Sequence, residues 1–115
     1  MLKNADCTIY EKDRNYTPHI ISGVYWFDTR GMAVVRSGLQ VTDSVLVYLY
    51  ETDYIPKAGD IIVKGACEFV FNAESEKSVS ESVREFRTLH PDYAVVKYVS
   101  DARYGGLPHV EVIAR

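Results

Sequence analysis

The residues best suited to chemistry in this chain are its two cysteines and three histidines. Cys7 or Cys67 together with His109 would make a thiol–imidazole pair, the arrangement that cysteine enzymes use for nucleophilic attack. Neither cysteine lies in a local sequence that resembles a known nucleophile setting. His90 precedes Pro91 at the end of a predicted helix, where a positive charge interacts favourably with the helix dipole. We therefore predict no catalytic residues and a protein that is not an enzyme.

The same side chains do not predict a metal or a cofactor site. The cysteines and histidines lack the close paired spacing of structural zinc sites, and no stretch has the alternating oxygen ligands of a calcium loop. Gly59-Asp60 and Gly105-Gly106 are single turns rather than a glycine-rich loop between a strand and a helix, so no phosphate cradle is indicated. We predict no bound metal, cofactor or nucleotide.

Tyrosine is abundant, with nine residues in 115. Its ring is apolar and its tip is polar, which suits protein surfaces that are alternately wet and covered. Strand propensity alone explains many of the tyrosines, but it explains less in turns and loops. The predicted interface residues are therefore the three that lie in such regions, Tyr16, Tyr54 and Tyr104.

Charge argues against a nucleic-acid partner. The formal net charge is −3 and the pI is near 5.5, without the basic stripe that phosphate neutralisation requires. Acidic residues instead gather before and along the predicted helix, where a solvated face is the simplest interpretation. This candidate acidic surface consists of Glu74, Glu76, Glu81 and Glu85.

Alternation of apolar and polar residues predicts a chain made mostly of strands. In the first strand, Cys7 and Ile9 should face a core while Thr8 and Lys12 face water. Further strands are predicted at 20–27 with a bend at Ser22-Gly23, at 32–35 and 39–42, at 44–50 as a central strand buried on both faces, at 61–63 after a turn at 55–60, and at 67–71. A terminal β-hairpin is predicted from 93–100 and 107–114.

One helix is predicted over about residues 78–90. Ser78 and Glu81 have the spacing of a capping box at its start, and Pro91 ends it. An apolar stripe should pack on the sheet, and it consists of Val79, Val83, Phe86 and Leu89. The predicted fold class is therefore mainly β: a small antiparallel β-barrel or sandwich with one packed α-helix.

The whole chain, 1–115, suits one domain of this class. The opening residues lack the apolar core of a signal peptide, and the longest apolar run, 45–50, is far shorter than the roughly 20 residues of a membrane-spanning helix. We expect a cytoplasmic protein without a membrane partner. The widely spaced cysteines are expected to be buried free thiols.

Several segments together resemble small proteins from the head–tail region of tailed phages and prophages of Gram-positive bacteria. These are the minor capsid or head–tail joining proteins. The resemblance rests on the opening at 2–10, on Val24-Tyr25-Trp26 with the later Ser37-Gly38-Leu39, on 55–65, and on 107–112.

The resemblance implies a barrel or sandwich subunit that joins a ring beneath the portal and seals the capsid or prepares it for the tail. Its partners would be portal, connector or tail-side proteins and further copies of itself, and its location would be the virion after assembly. Segments 28–43 and 51–59 would be the loops that order on assembly, and the acidic surface would let DNA slide past. The alternative is a small β-barrel that binds a ligand or a peptide.

Overall fold

The computed structural model describes residues 3–30, 44–103 and 108–115, and within them the chain forms six strands and one α-helix. A 3₁₀ turn, Lys12–Arg14, connects the first two strands. The strands are β1 (Ala5–Glu11), β2 (Thr17–Asp28), β3 (Val45–Leu49), β4 (Ile61–Lys64), β5 (Ala94–Ala102) and β6 (His109–Ala114), and the helix is α1 (Glu76–Leu89).

The strands close into an antiparallel barrel in the order β1-β2-β3-β6-β5-β4. The predicted mainly-β fold with one packed helix is confirmed, including the terminal hairpin of β5 and β6. The predicted strands at 32–35 and 39–42 and the hairpin turn at 104–107 lie outside the described residues.

Apolar side chains fill the interior of the barrel because alternate residues of every strand point inward. The filling residues are Cys7, Ile9, Ile21, Val24, Trp26, Val45, Val47, Leu49, Ile62, Ala94, Val96, Val110, Val112 and Ala114. Burial, and then the nearby charge of Asp6, raises the pKa of the Cys7 thiol to about 12. Cys7 and Cys67 are both free and buried.

The bend predicted at Ser22-Gly23 is present. The β1–β2 register shifts between Ala5 and Cys7, which pair with Val24 and Ile21. The extra residue forms a bulge in β2, and Gly23 adopts φ +69° there, a left-handed conformation that costs glycine little.

The prediction that β3 is buried on both faces is wrong. Val45, Val47 and Leu49 point into the barrel, while Leu46 and Tyr48 are only partly buried on the outside. A continuous apolar run looks the same in the sequence whether or not its second face is covered. Among the residues that the structure describes, no helix covers the outside of β3.

A second apolar cluster lies outside the barrel, between β1, β4 and α1. Its buried members are Tyr10, Ile61, Val63, Cys67, Phe71 and Phe86. This cluster corrects the prediction that Thr8 faces water, because Thr8 is fully buried beneath the chain that follows β4. Its hydroxyl donates to the Gly65 carbonyl at 2.8 Å and accepts from the Cys67 amide at 2.8 Å.

Residues 67–71 do not form the predicted strand. Their side chains alternate as expected, with Cys67 and Phe71 buried and Glu68 exposed. The backbone, however, binds side chains of β1 instead of a neighbouring strand, as in the bond from the Tyr10 hydroxyl to the Phe69 carbonyl at 2.8 Å.

The helix begins earlier than the Ser78–Glu81 capping box predicted. Ser75 is the N-cap residue, and its hydroxyl accepts a hydrogen bond from the Ser78 amide at 3.1 Å. Phe86 is buried as expected, but Leu89 is exposed and Ser82 is buried in its place. The Ser82 hydroxyl accepts from the Asn72 amide, which joins the preceding segment to the helix.

Candidate protein-interaction face

The outer surface of β2, β3, β6 and β5 carries aromatic and apolar side chains that α1, the one helix in the described ranges, does not cover. The register aligns them in rows: Tyr25 pairs with Tyr48, and Phe27 pairs with Leu46. Leu46 also pairs with Ile113, which pairs with Tyr98 on the next strand. We call this surface the aromatic face, and its members are Tyr25, Phe27, Leu46, Tyr48, Tyr50, Tyr98, His109 and Ile113.

The rings of the aromatic face contact one another. The centroids of Tyr25 and Phe27 are 6.4 Å apart in a stacked arrangement, and those of Tyr25 and Tyr48 are 5.5 Å apart. His109 lies 5.0 Å from Tyr48. Such spacings favour a fixed arrangement of rings.

Much apolar area remains open to solvent on this face. Tyr98 is 72% exposed, Phe27 is 45% exposed and Ile113 is 39% exposed. Contiguous exposed apolar area of this kind is typical of a surface that another protein covers. The aromatic face therefore has the composition of an interface core.

A carboxylate lies within the aromatic face. Burial, followed by the adjacent Glu111 carboxylate, raises the pKa of the Tyr48 hydroxyl. Tyr48 and Glu111 pair across β3 and β6. A negative charge among the rings disfavours nucleic acid as the covering partner, because phosphate would be repelled.

The helix lies on the opposite side of the barrel. In the strand order, β1 and β4 are neighbours, and β3 and β6 are the pair directly across from them. The α1 cluster covers β1 and β4. The barrel thus presents two chemically different sides, one covered by the helix and one aromatic.

The tyrosines singled out from the sequence lie elsewhere. Tyr16 is half-buried and stacks on Phe71 with ring centroids 4.7 Å apart. Tyr54 is half-buried and stacks on His19 at 4.1 Å. Tyr104 lies outside the described residues. An interface role for these three tyrosines stays a prediction.

The residues of the candidate acidic surface, Glu74, Glu76, Glu81 and Glu85, are all exposed on the helix side. Glu76 is in the first turn of α1, where its charge favours the helix dipole. The structure brings these residues onto one side of the molecule, and their function stays a prediction.

A polar cluster closes one end of the barrel. Glu11 is 6% exposed, and its carboxylate lies 2.9 Å from His19 Nε2 and 3.5 Å from Arg14 Nε. His19 stacks on Tyr54, whose hydroxyl donates to the Asp60 carboxylate. Burial, and then this hydrogen bond, raises the pKa of Tyr54. The loop that carries Tyr54 is thereby fixed over the barrel end.

Two open grooves flank the stacked His19 and Tyr54 rings, with volumes of about 300 and 360 Å³. His19, Asp53 and Tyr54 line both grooves, Glu51 lines the first, and Glu11 lines the second. Sequence reasoning missed this cluster because its members come from three separate segments that only the fold brings together.

The histidine near Cys67 is His90, and not His109, which was considered above as the partner of a cysteine. Cys67 Sγ lies 3.5 Å from His90 Nε2, while the His109 ring contacts Tyr48 and Tyr50 on the aromatic face. His90 is the C-cap residue of α1, and its amide donates to the Phe86 carbonyl at 2.8 Å. Cys67 and His90 are both part of the packing around α1.

Among the residues that the structure describes, no group of three or more His, Cys, Asp or Glu side chains is arranged to hold a metal ion. In the same residues, no helix is long and apolar enough to cross a membrane. No curated protein and no solved structure matches the chain significantly. Residues 2–115 match the pattern described as a family of unknown function (DUF6751), and the chain therefore belongs to that family.

Proposed function

We propose that this protein is a structural subunit of the head–tail junction of a tailed phage or prophage, and that it acts by binding neighbouring subunits rather than by catalysis. The aromatic face is the observation that carries the binding role. The assignment to the head–tail junction rests on the resemblance of the chain to minor capsid and head–tail joining proteins.

Leaving the apolar side chains of the aromatic face in water is unfavourable. Covering Phe27, Tyr98 and Ile113 would remove apolar area from solvent, and each Å² is worth about 25 cal/mol before the costs of association. Tyrosines add hydrogen-bonding tips at low entropic cost, and they are frequent among the residues that dominate binding energies. The partner we propose is a structural protein of the same junction that presents an apolar patch.

The two different sides of the barrel suit a subunit of a ring. A head-to-tail ring requires two unlike surfaces on one chain, because the same pair of patches must meet at every contact. The aromatic face and the helix side are unlike and lie across the barrel from each other. In this proposal the protein is made in the host cytoplasm and is carried into the virion.

The test is binding to the products of adjacent genes. These genes are expected to encode a portal, a major capsid protein and tail-side proteins, and one of these products should co-purify with the chain when co-expressed. Phe27→Ser is expected to weaken that complex roughly 30-fold, because a buried aromatic contact typically contributes about 2 kcal/mol. Calorimetry on the purified partners would measure the change.

Leu89→Ser is the matched control, since Leu89 is also a large exposed apolar residue but lies at the end of α1. It should leave the affinity for the co-purified partner unchanged, because that partner is proposed to cover the aromatic face. Adjacent genes for metabolic enzymes would contradict the assignment to the head–tail junction, and equal effects of both substitutions would contradict the role of the aromatic face.

The grooves beside His19 and Tyr54 favour a second candidate function, binding of a small cationic ligand or a lysine-containing peptide. Their described walls carry the carboxylates of Glu11, Glu51 and Asp53 and the guanidinium of Arg14. The partly exposed ring stack of His19 and Tyr54 offers a cation an aromatic surface beside those charges.

Titration with an amidated lysine tripeptide would test this candidate by NMR. The peptide is expected to shift the ring resonances of His19, the glutamate analogue of the peptide is not, and Asp53→Asn should weaken the response. Glu68→Gln provides a control that removes an exposed carboxylate elsewhere. Equal responses to the two peptides would exclude a cation-selective groove.

A further inference from the structure

Glu111 places a carboxylate among the outward-facing side chains of the aromatic face. It lies on the outer surface of β6, between His109 and Ile113, and the residue is partly buried. Across the strands it pairs with Tyr48 on β3 and with Ser100 on β5. The negative charge of Glu111 therefore lies in mainly apolar surroundings.

The ion pairs of the described ranges leave the Glu111 charge without a cation. None of them includes Glu111, and Arg103, which follows β5, is held by the Asp101 carboxylate at 2.8 Å. A protein that covered the aromatic face with apolar groups alone would remove Glu111 from water without giving it a partner, which is unfavourable. The covering protein is therefore expected to bring a positive charge to this position.

A shallow depression of about 120 Å³ lies beside the carboxylate. Two cross-strand pairs border it, Tyr98 with Ile113 and Ser100 with Glu111, and Val99 completes its lining. The depression thus combines an exposed aromatic ring, an aliphatic side chain, a hydroxyl group and a carboxylate. It offers an apolar wall and an acceptor for a charged donor within the reach of one side chain.

Arginine fits these features better than lysine does. Its aliphatic stem packs on apolar surface, here that of Ile113, while its charged end meets polar groups. Its planar guanidinium forms two parallel hydrogen bonds with one carboxylate and stacks on an aromatic ring, here that of Tyr98. The lysine ammonium is a strongly hydrated point charge, so it gains less from a flat ring and a forked acceptor.

We propose that this depression binds an arginine side chain of the junction protein that covers the aromatic face, with the guanidinium on Glu111 and the stem on Ile113. The inference rests on the proposed function, because it specifies the chemistry of the partner that the aromatic face binds. A partner with an arginine inside its apolar patch would match the aromatic face in both polarity and charge.

A second copy of this chain fits the depression less well. In a two-fold contact both copies use the same patch, so the two Glu111 carboxylates would approach each other. Each copy also carries a formal net charge of −3, which opposes close association of copies. A different junction protein is free of both constraints.

Titration of the full-length protein with three tripeptides, followed by NMR, tests the site. Each peptide is acetylated and amidated and has leucine at both ends, with arginine, citrulline or lysine in the middle. Citrulline has the shape of arginine without its charge. The arginine peptide should shift the resonances of Tyr98 and Ile113, with a dissociation constant about tenfold lower than that of the citrulline peptide and about threefold lower than that of the lysine peptide.

Glu111→Gln should reduce the affinity for the arginine peptide to that of the citrulline peptide, because it removes the charge and keeps the size of the side chain. Glu68→Gln removes an exposed carboxylate elsewhere and should change nothing. Circular dichroism would verify the fold of both variants, and the comparison of the peptides on the natural sequence needs no variant. Equal affinities for the arginine and citrulline peptides, or shifts confined to His19 and Tyr54, would overturn the inference.

Calorimetry on the co-purified partner separates this inference from the proposed function. Glu111→Gln should weaken that complex by about tenfold, beside the loss expected for Phe27→Ser. If only Phe27→Ser weakens it, the aromatic face is an interface and the arginine site is contradicted. If neither does, the proposed interface is wrong and the inference fails with it. Self-association of the chain that Glu111→Gln removes would assign the arginine to a further copy and overturn the choice of another junction protein.

Discussion

Replacing Phe86 by alanine is expected to lower the free energy of unfolding by about 3–5 kcal/mol, the range for a large aromatic residue removed from a packed core. Phe86 is fully buried between α1 and the barrel. Its ring centroid lies 5.2 Å from that of Tyr10 and 5.3 Å from those of Phe69 and Phe71. The cavity would open where helix, barrel and connecting segment meet.

Urea unfolding followed by circular dichroism would measure the Phe86→Ala effect. Leu89→Ala is the matched control on the same helix, because Leu89 is exposed and its loss should change stability by less than about 0.5 kcal/mol. Similar values for the two variants would show that α1 contributes little to the stability of the barrel.

The strands of the barrel were predictable because their alternation is regular and their turns carry glycine and proline. Residues 61–64 follow a proline–glycine turn and form β4 as expected. The same alternation led to the wrong prediction of a strand at 67–71. An apolar–polar alternation indicates which side chains are buried, but it does not indicate which groups the backbone hydrogen-bonds to. There the Thr8 hydroxyl bonds to the Gly65 carbonyl and the Cys67 amide.

The start of the helix shows a second limit of sequence patterns. Only Ser78 is followed three positions later by the glutamate of a capping box, so local spacing favours Ser78 although Ser75 is the N-cap residue. The extended backbone of Ser75, with φ −154° and ψ 167°, makes it the N-cap residue. The choice also depends on Ser82, which binds the Asn72 amide and holds the segment before the helix.

The aromatic face could not be predicted because exposure of a barrel strand depends on what packs outside it. Tyr10 and Tyr48 both lie in strands and both point outward, but α1 and the segment before it cover Tyr10. The local sequence around either tyrosine does not indicate where the helix will pack. The interface prediction considered only tyrosines in turns and loops, so it did not include Tyr25, Tyr48 or Tyr98. Their occurrence was already explained by the preference of tyrosine for strands.

The polar cluster at the barrel end escaped prediction for a different reason. Asp60 was assigned to a turn, and that assignment is correct as far as the backbone is concerned. Its carboxylate, however, accepts from the amides of Lys12 and Lys57, at 3.1 and 3.0 Å, and from the Tyr54 hydroxyl. The sequence predicts the turn, but it does not predict the hydrogen bond from the Lys12 amide, because Lys12 and Asp60 are 48 positions apart.

Asp60→Ala is therefore expected to destabilise the protein by about 3 kcal/mol. Asp60 is 1% exposed, and its removal would leave three donors, from two segments of the chain, without their acceptor. An unsatisfied buried donor costs about 1–3 kcal/mol, and partial access of water to the two lysine amides lowers the sum.

Urea unfolding would give the stability change, and amide hydrogen exchange would locate it. Faster exchange is expected at Lys12 and Lys57, because their amides donate directly to the lost carboxylate. Asp53→Ala is the control, since Asp53 is an exposed aspartate in the same loop. An Asp60→Ala protein as stable as Asp53→Ala would mean that apolar packing of Tyr54 and Ile55 on the core, rather than the carboxylate, holds the loop over the barrel end.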